Sequence, residues 1–81
     1  MEGSEIRAVV LDTLKTIAPE IDAGKLQPDR PLRTQVELDS MDSLNFVIAL
    51  QERLRLSIPE SDYGKLGTLQ AIISYLEAKL R

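Results

Sequence analysis

The chain has 81 residues, no cysteine, no histidine and a formal net charge of −3. That leaves room for one domain over 1–81, with a thin core that no disulfide can staple. It also excludes thiolate nucleophiles, imidazole bases and the usual zinc ligand sets, so neither a catalytic residue nor a metal site is expected. An enzyme would have to rest on carboxylates such as Glu37 and Asp39, or on Lys or Tyr, and nothing in the spacing points to one.

The acidic balance argues against a nucleic-acid partner, because phosphate neutralisation needs Lys and Arg surfaces. The charge is also uneven. Between Glu37 and Asp62 six acids face two bases, giving −4, so the remainder carries +1. An acidic middle suits a partner with a basic face, although on charge alone a solvated helix face is the simpler reading. No apolar run is long enough to span a bilayer. The start, MEGSEIR, lacks the hydrophobic segment of a secretory signal. A cytoplasmic, monomeric protein is the expectation.

In chain order, Ser4 is placed to cap a first helix, with Glu5 in its first turn. Ile6, Val9, Val10, Leu14 and Ile17 form its apolar stripe, and Leu11 lies off it as a surface leucine. Pro19 ends the pattern. A long connection to Leu38 follows, holding Pro19, Gly24, Pro28 and Pro31 and showing no sustained period. Ile21, Leu26, Leu32, Val36 and Leu38 would anchor it as an ordered crossover with one short helical turn.

A second helix is predicted over Ser40–Leu54, with Met41, Leu44, Val47, Ile48, Leu50 and Leu54 on one side and Asp42, Asn45, Ala49, Glu52 and Arg53 on the other. Gln51 falls in the apolar arc without an evident reason. Ser57-Ile58-Pro59 breaks the pattern. A short third helix, Pro59 to about Leu66, follows with Tyr63 and Leu66 as burial candidates, weakened by Gly64. Gly67 stops it and Thr68 caps a last helix striped by Leu69, Ile72, Ile73, Leu76 and Leu80. With no alternating strand pattern, the fold class is all-α. The architecture is a small four-helix bundle of three longer helices plus a short third one, with a long loop between helices 1 and 2.

Ser40 stands at the mouth of the second helix. Unpaired N–H groups and the positive dipole end there tolerate a phosphate, so a serine hydroxyl can carry a phosphodiester. From these residues alone the commoner reading is that Asp39 or Ser40 simply caps the helix, with Asp42 as a first-turn acid.

Asp39-Ser40-Met41-Asp42-Ser43-Leu44, then FVIALQERLRLS, then Ile58-Pro59, resembles the acyl carrier proteins and their peptidyl carrier relatives. Their mark is Asp-Ser-Leu at the start of the second helix and Ile-Pro before a short third. The likeness extends across nearly the whole chain, including the LGTLQAIISYLEAKL ending. Asp42-Ser43-Leu44 is the literal motif, but spacing back from Ile58-Pro59 selects Ser40, with Ser43 as the alternative, and Met41 replaces leucine with little change of volume.

The resemblance implies a carrier, not an enzyme. A phosphopantetheinyl transferase would attach 4′-phosphopantetheine from coenzyme A to Ser40, and the arm's thiol would hold an acyl group as a thioester. The cysteine-free chain fits a borrowed thiol. Asp39, Met41, Asp42, Asn45 and Glu52 would dock partner enzymes, which load and transfer acyl groups and present basic surfaces. Asp39 and Asp42 would in addition engage the transferase and its metal. Asn45, Ala49 and Arg53 make this face less acidic than in housekeeping fatty-acid carriers, which points to a dedicated lipid or secondary-metabolite pathway. Two alternatives stay open: an aminoacyl or peptidyl carrier, and an unmodified helical module that acts only by binding a partner.

Overall fold

The computed structural model describes residues 2–80 and shows four α-helices: α1 (Gly3–Ile17), α2 (Leu32–Gln35), α3 (Ser40–Leu54) and α4 (Leu69–Lys79). Two 3-10 segments, Ala23–Lys25 and Glu60–Lys65, lie in the connections. No strand occurs among the described residues; one isolated bridge joins Pro31 to Thr68.

The helical period explains the packing. Ile6, Val10 and Leu14 recur at intervals of four on α1 and are fully buried. They meet Phe46, Val47, Leu50 and Leu54 of α3 and Leu69, Ile72 and Leu76 of α4 in one connected core. Thr13 is the buried polar side chain among the described residues, and its hydroxyl donates to the Val9 carbonyl at 2.7 Å. Ile73 and Leu80 of the predicted α4 stripe are half-buried against this core rather than inside it.

The crossover is ordered, as its five apolar anchors predict. Leu32 and Val36 are buried, and Ile21, Leu26 and Leu38 pack partly against the core. It contains two short helical pieces, not one. The Gln35 side chain clips it together: its Oε1 accepts from Gln27 N at 2.6 Å, and its Nε2 donates to the Gln27 and Arg30 carbonyls at 2.9 and 3.0 Å. The crossover is also tied to the entry of α4, through Leu32 N to Gly67 O at 2.9 Å and Gln70 N to Pro28 O at 3.0 Å.

Four local expectations need correction. Ser4 does not cap α1. The helix begins two residues earlier, with Glu2 at the cap position and no side-chain cap bond, so Ser4 lies within the first turn. Leu11 is half-buried and packed on the core, because α3 and α4 together cover more of α1 than one narrow stripe. The short third helix is the 3-10 segment Glu60–Lys65, preceded by Pro59 and with no buried residue; Tyr63 and Leu66 reach only partial burial. Six residues with Gly64 among them gain too little from α-helical bonds to hold that form.

The fourth correction concerns α3. Met41, Leu44 and Ile48 are 64%, 42% and 40% exposed, while the core is met by Phe46, Val47, Leu50 and Leu54. At about 100° per residue, Met41 and Ile48 lie roughly opposite Leu50, on the same outward arc as Asn45 and Glu52. Asp42 and Ala49 are half-buried on the flank facing α1, where Arg53 pairs with Asp12. Arg53 is therefore paired with α1 at the surface.

Gln51 has a structural role. Its Oε1 accepts from the Ile58 N–H at 2.8 Å, and Ile58 is itself buried. The chain leaving α3 turns at Arg55, which takes a left-handed conformation (φ 53°) and sends its N–H and that of Leu56 to the Gln51 carbonyl. The Gln51 amide then secures the next buried N–H. Gln51→Ala should cost about 1–3 kcal/mol in chemical denaturation by leaving that donor unpaired, whereas Gln51→Glu, which keeps an acceptor, should cost less.

Candidate functional site

The mouth of α3 is set by its cap. Asp39 adopts an extended conformation, and its Oδ1 accepts from Asp42 N at 2.8 Å; its carbonyl accepts from Ser43 N at 3.0 Å. Asp39 is thus the cap, and Ser40 is the first residue of the helix. This divides the two roles that the sequence left open for Asp39 and Ser40. With the cap supplied by its neighbour, the exposed Ser40 hydroxyl makes no hydrogen bond among the described residues.

Ser40 and Ser43 both border a largely apolar cleft of about 810 Å³ between α3 and the Glu60–Lys65 segment. Leu38, Leu44, Val47, Tyr63 and Leu66 contribute to its lining. Ser40 sits at the open helix end; Ser43 lies one turn inward. A smaller cleft of about 480 Å³ in the crossover, beside Lys25, Arg30 and Glu37, includes neither serine.

Of the other predicted site residues, Met41, Asn45 and Glu52 are exposed on the outward arc of α3, and Asp39 is exposed beside Ser40. Asp42 is half-buried. Sequence reasoning missed Leu44 and Ile48 as surface residues. The available signal was the excess: with Phe46 included, α3 carries seven large apolar side chains spread around more of its circumference than one thin core can cover.

The perturbed titrations lie where the Glu60–Lys65 segment meets α4, in side chains outside the lining of the cleft. The Tyr75 hydroxyl on α4 donates to Asp62 Oδ2 at 2.6 Å, and Lys65 lies 3.3 Å from Asp62 Oδ1. The hydrogen bond from Tyr75, with smaller help from Lys65 and Lys79, holds the Asp62 carboxyl below its ordinary value of 3.8. Burial, followed by the facing Asp62 carboxylate, pushes the Tyr75 hydroxyl up to about 12. The Asp62 contribution to stability is therefore complete above its ordinary value and lost as pH falls through the depressed one. The Tyr75 contribution is complete below 10.0 and lost as pH rises towards about 12. The pair is intact across the neutral range.

An unbonded hydroxyl at a helix mouth, beside an apolar cleft and without a side-chain base, defines a bundle suited to holding a tethered group. The family model for a phosphopantetheine attachment site matches residues 4–76. The chain is 36% identical over 59 residues to an acyl carrier protein of Bdellovibrio bacteriovorus, covering 73% of this chain and 76% of that one. It is 29% identical over 73 residues to an acyl carrier protein of Helicobacter hepaticus, covering 90% of each. A solution structure from Anaplasma phagocytophilum, provisionally assigned as an acyl carrier protein, superposes with a TM-score of 0.86 at 27% identity, covering 100% of this chain and 94% of that one.

The chain belongs to the acyl carrier protein family. Its cofactor is a covalently attached 4′-phosphopantetheine, and the family is one of carriers, not catalysts. The residues present fit the arm: an exposed hydroxyl to esterify, helix N–H groups beside it for the phosphate, and an apolar cleft alongside. Bound there, the arm supplies the thiol that the sequence lacks. Among the described residues, no helix is long and apolar enough to cross a membrane.

Proposed function

We propose that Ser40 is the attachment point, and that one monomeric carrier domain over 1–81 presents acyl thioesters to cytoplasmic partner enzymes of a dedicated lipid or secondary-metabolite pathway. The observation that carries this reading is the division of labour at the α3 mouth: Asp39 caps, and Ser40 keeps a free, exposed hydroxyl beside the cleft. Ser40 supplies the oxygen that becomes the phosphodiester. The first-turn N–H groups of α3 stabilise the phosphate's charge, and Asp39 and Asp42 engage the transferase and its metal. Incubation with coenzyme A, Mg²⁺ and a broad phosphopantetheinyl transferase should add the mass of one arm. No gain with a transferase shown to be competent on another carrier would leave the unmodified binding module as the reading.

Docking uses the outward arc of α3, and its apolar members outweigh its charges. Exposed ion pairs contribute about 0.2–1 kcal/mol each. Full burial of a Met, Leu or Ile side chain contributes about 1.5–3 kcal/mol. Met41 and Ile48, flanked by Asn45 and Glu52, should therefore set affinity more than Asp39, Asp42 or Glu52 do. Ile48→Ser should lower the transferase's kcat/KM by about threefold or more, Glu52→Gln by less than Ile48→Ser, and added salt should weaken the reaction only modestly. A steep salt dependence with Ile48→Ser near wild type would refute this ranking.

A further inference from the structure

Sulfur is where peroxide attacks a protein most readily, and this chain has two methionines and no cysteine. Met1 lies outside the described residues. Met41 is 64% exposed, the most exposed of the large apolar side chains among the described residues, and it takes no part in the core. It directly follows Ser40 and stands on the outward arc of α3 with Asn45, Ile48 and Glu52. Leucine, the residue that follows the serine in the carrier motif, has nearly the same volume and polarity but no atom that peroxide attacks. Met41 keeps the apolar contact of a leucine and adds one oxidisable atom. The thioether is apolar, whereas its sulfoxide is polar and binds water. Burying that oxygen at an interface without a hydrogen-bond donor is unfavourable. Oxidation of this one side chain therefore changes the chemistry of the surface beside Ser40 while leaving the bundle intact.

We propose that Met41 is an oxidation site, and that its sulfoxide switches off loading of the arm by removing an apolar contact from the docking surface. The sulfur lone pair attacks one oxygen of hydrogen peroxide. The O–O bond breaks, that oxygen stays on sulfur, and the other leaves as water. Sulfur gives up two electrons and the peroxide takes them. A methionine sulfoxide reductase fed by a dithiol reverses the step: the oxygen leaves as water and the dithiol becomes a disulfide. The effect on loading rests on the docking reading above; the oxidation itself does not. The switch acts on the unmodified chain, because the arm, once attached, brings a thiol that competes for peroxide.

The unmodified protein is treated with hydrogen peroxide, cleared with catalase and offered to the transferase with coenzyme A and Mg²⁺. Fragment masses should place one added oxygen on Met41. The kcat/KM for loading should fall by about fivefold or more against the untreated protein, because most of this side chain is free to make apolar contact. The reductase pair that covers both sulfoxide epimers should restore it. Met41→Leu, compared with its own untreated sample, should not respond to peroxide. Met41→Gln should load slowly before treatment and no more slowly after it. The denaturant midpoint of the oxidised protein should match that of the untreated one, since Met41 lies outside the core. A Met41 left unoxidised while free methionine in the same tube is oxidised overturns the site. An oxidised Met41 with unchanged loading overturns the switch, and Ile48→Ser then shows whether the docking arc itself is misassigned. Loss of loading that persists in Met41→Leu, or that comes with a lowered midpoint, places the effect elsewhere and also overturns the switch. A chain that a competent transferase never loads, even before treatment, refutes the carrier reading and the switch together, and the fragment masses still decide the oxidation.

Discussion

Ser40→Ala should abolish the gain of a phosphopantetheine arm, whereas Ser43→Ala should acquire it at a rate close to wild type. The sequence offers two Asp-Ser pairs, and Asp42-Ser43-Leu44 is the closer match to the family motif. The geometry at the helix mouth weighs the other way. Asp39 satisfies the Asp42 N–H and, through its carbonyl, the Ser43 N–H, which places Ser40 at the first helical position with nothing bound to its hydroxyl. An arm leaving Ser40 would start at the helix end, beside the cleft that Ser40 lines. An arm leaving Ser43 would start one turn down a wall that also contains Leu44 and Val47. Both substitutions touch exposed side chains, so neither should disturb folding by more than about 0.5 kcal/mol. Equal loss in both variants, or loss in Ser43→Ala alone, would move the site.

Leu50→Ala should destabilise the protein far more than a truncation on the outward arc of α3. Leu50 is completely buried at the centre of α3, within the cluster that joins α1, α3 and α4. A buried leucine truncated to alanine costs about 2–5 kcal/mol. A domain of 81 residues holds about 4–12 kcal/mol in total. The substitution therefore removes between a sixth of the stability and all of it. Ile48→Ala, two residues away and 40% exposed, should cost under about 1 kcal/mol. Denaturant midpoints of the two variants measure the contrast directly. Similar midpoints would mean that the inward and outward arcs of α3 are misassigned.

That contrast also marks the limit of what the sequence disclosed. The bounds of α3, the Thr68 cap of α4, whose hydroxyl accepts from Ala71 N at 3.0 Å, and the ordered crossover were all legible. Each follows from local chemistry: periodicity, a capping oxygen, spaced apolar anchors. Which arc of α3 faces inward was not legible, because Met41, Leu44 and Ile48 are as hydrophobic as the residues that are buried. Only the placement of α1 and α4 sorts them. Gln51 was opaque for the same reason, since its partner Ile58 N lies seven residues on and is brought back by the turn at Arg55. A left-handed arginine gives no glycine-like signal in sequence. The Tyr75–Asp62 bond joins residues thirteen apart whose pairing depends on how the Glu60–Lys65 segment lies against α4.

The most direct measurement is fragmentation mass spectrometry of the Leu38–Leu54 region from protein loaded with coenzyme A and a phosphopantetheinyl transferase. The account predicts one arm per chain, with fragment ions assigning it to Ser40. An arm on Ser43, or a chain that stays unmodified beside a carrier the same transferase loads, would contradict it.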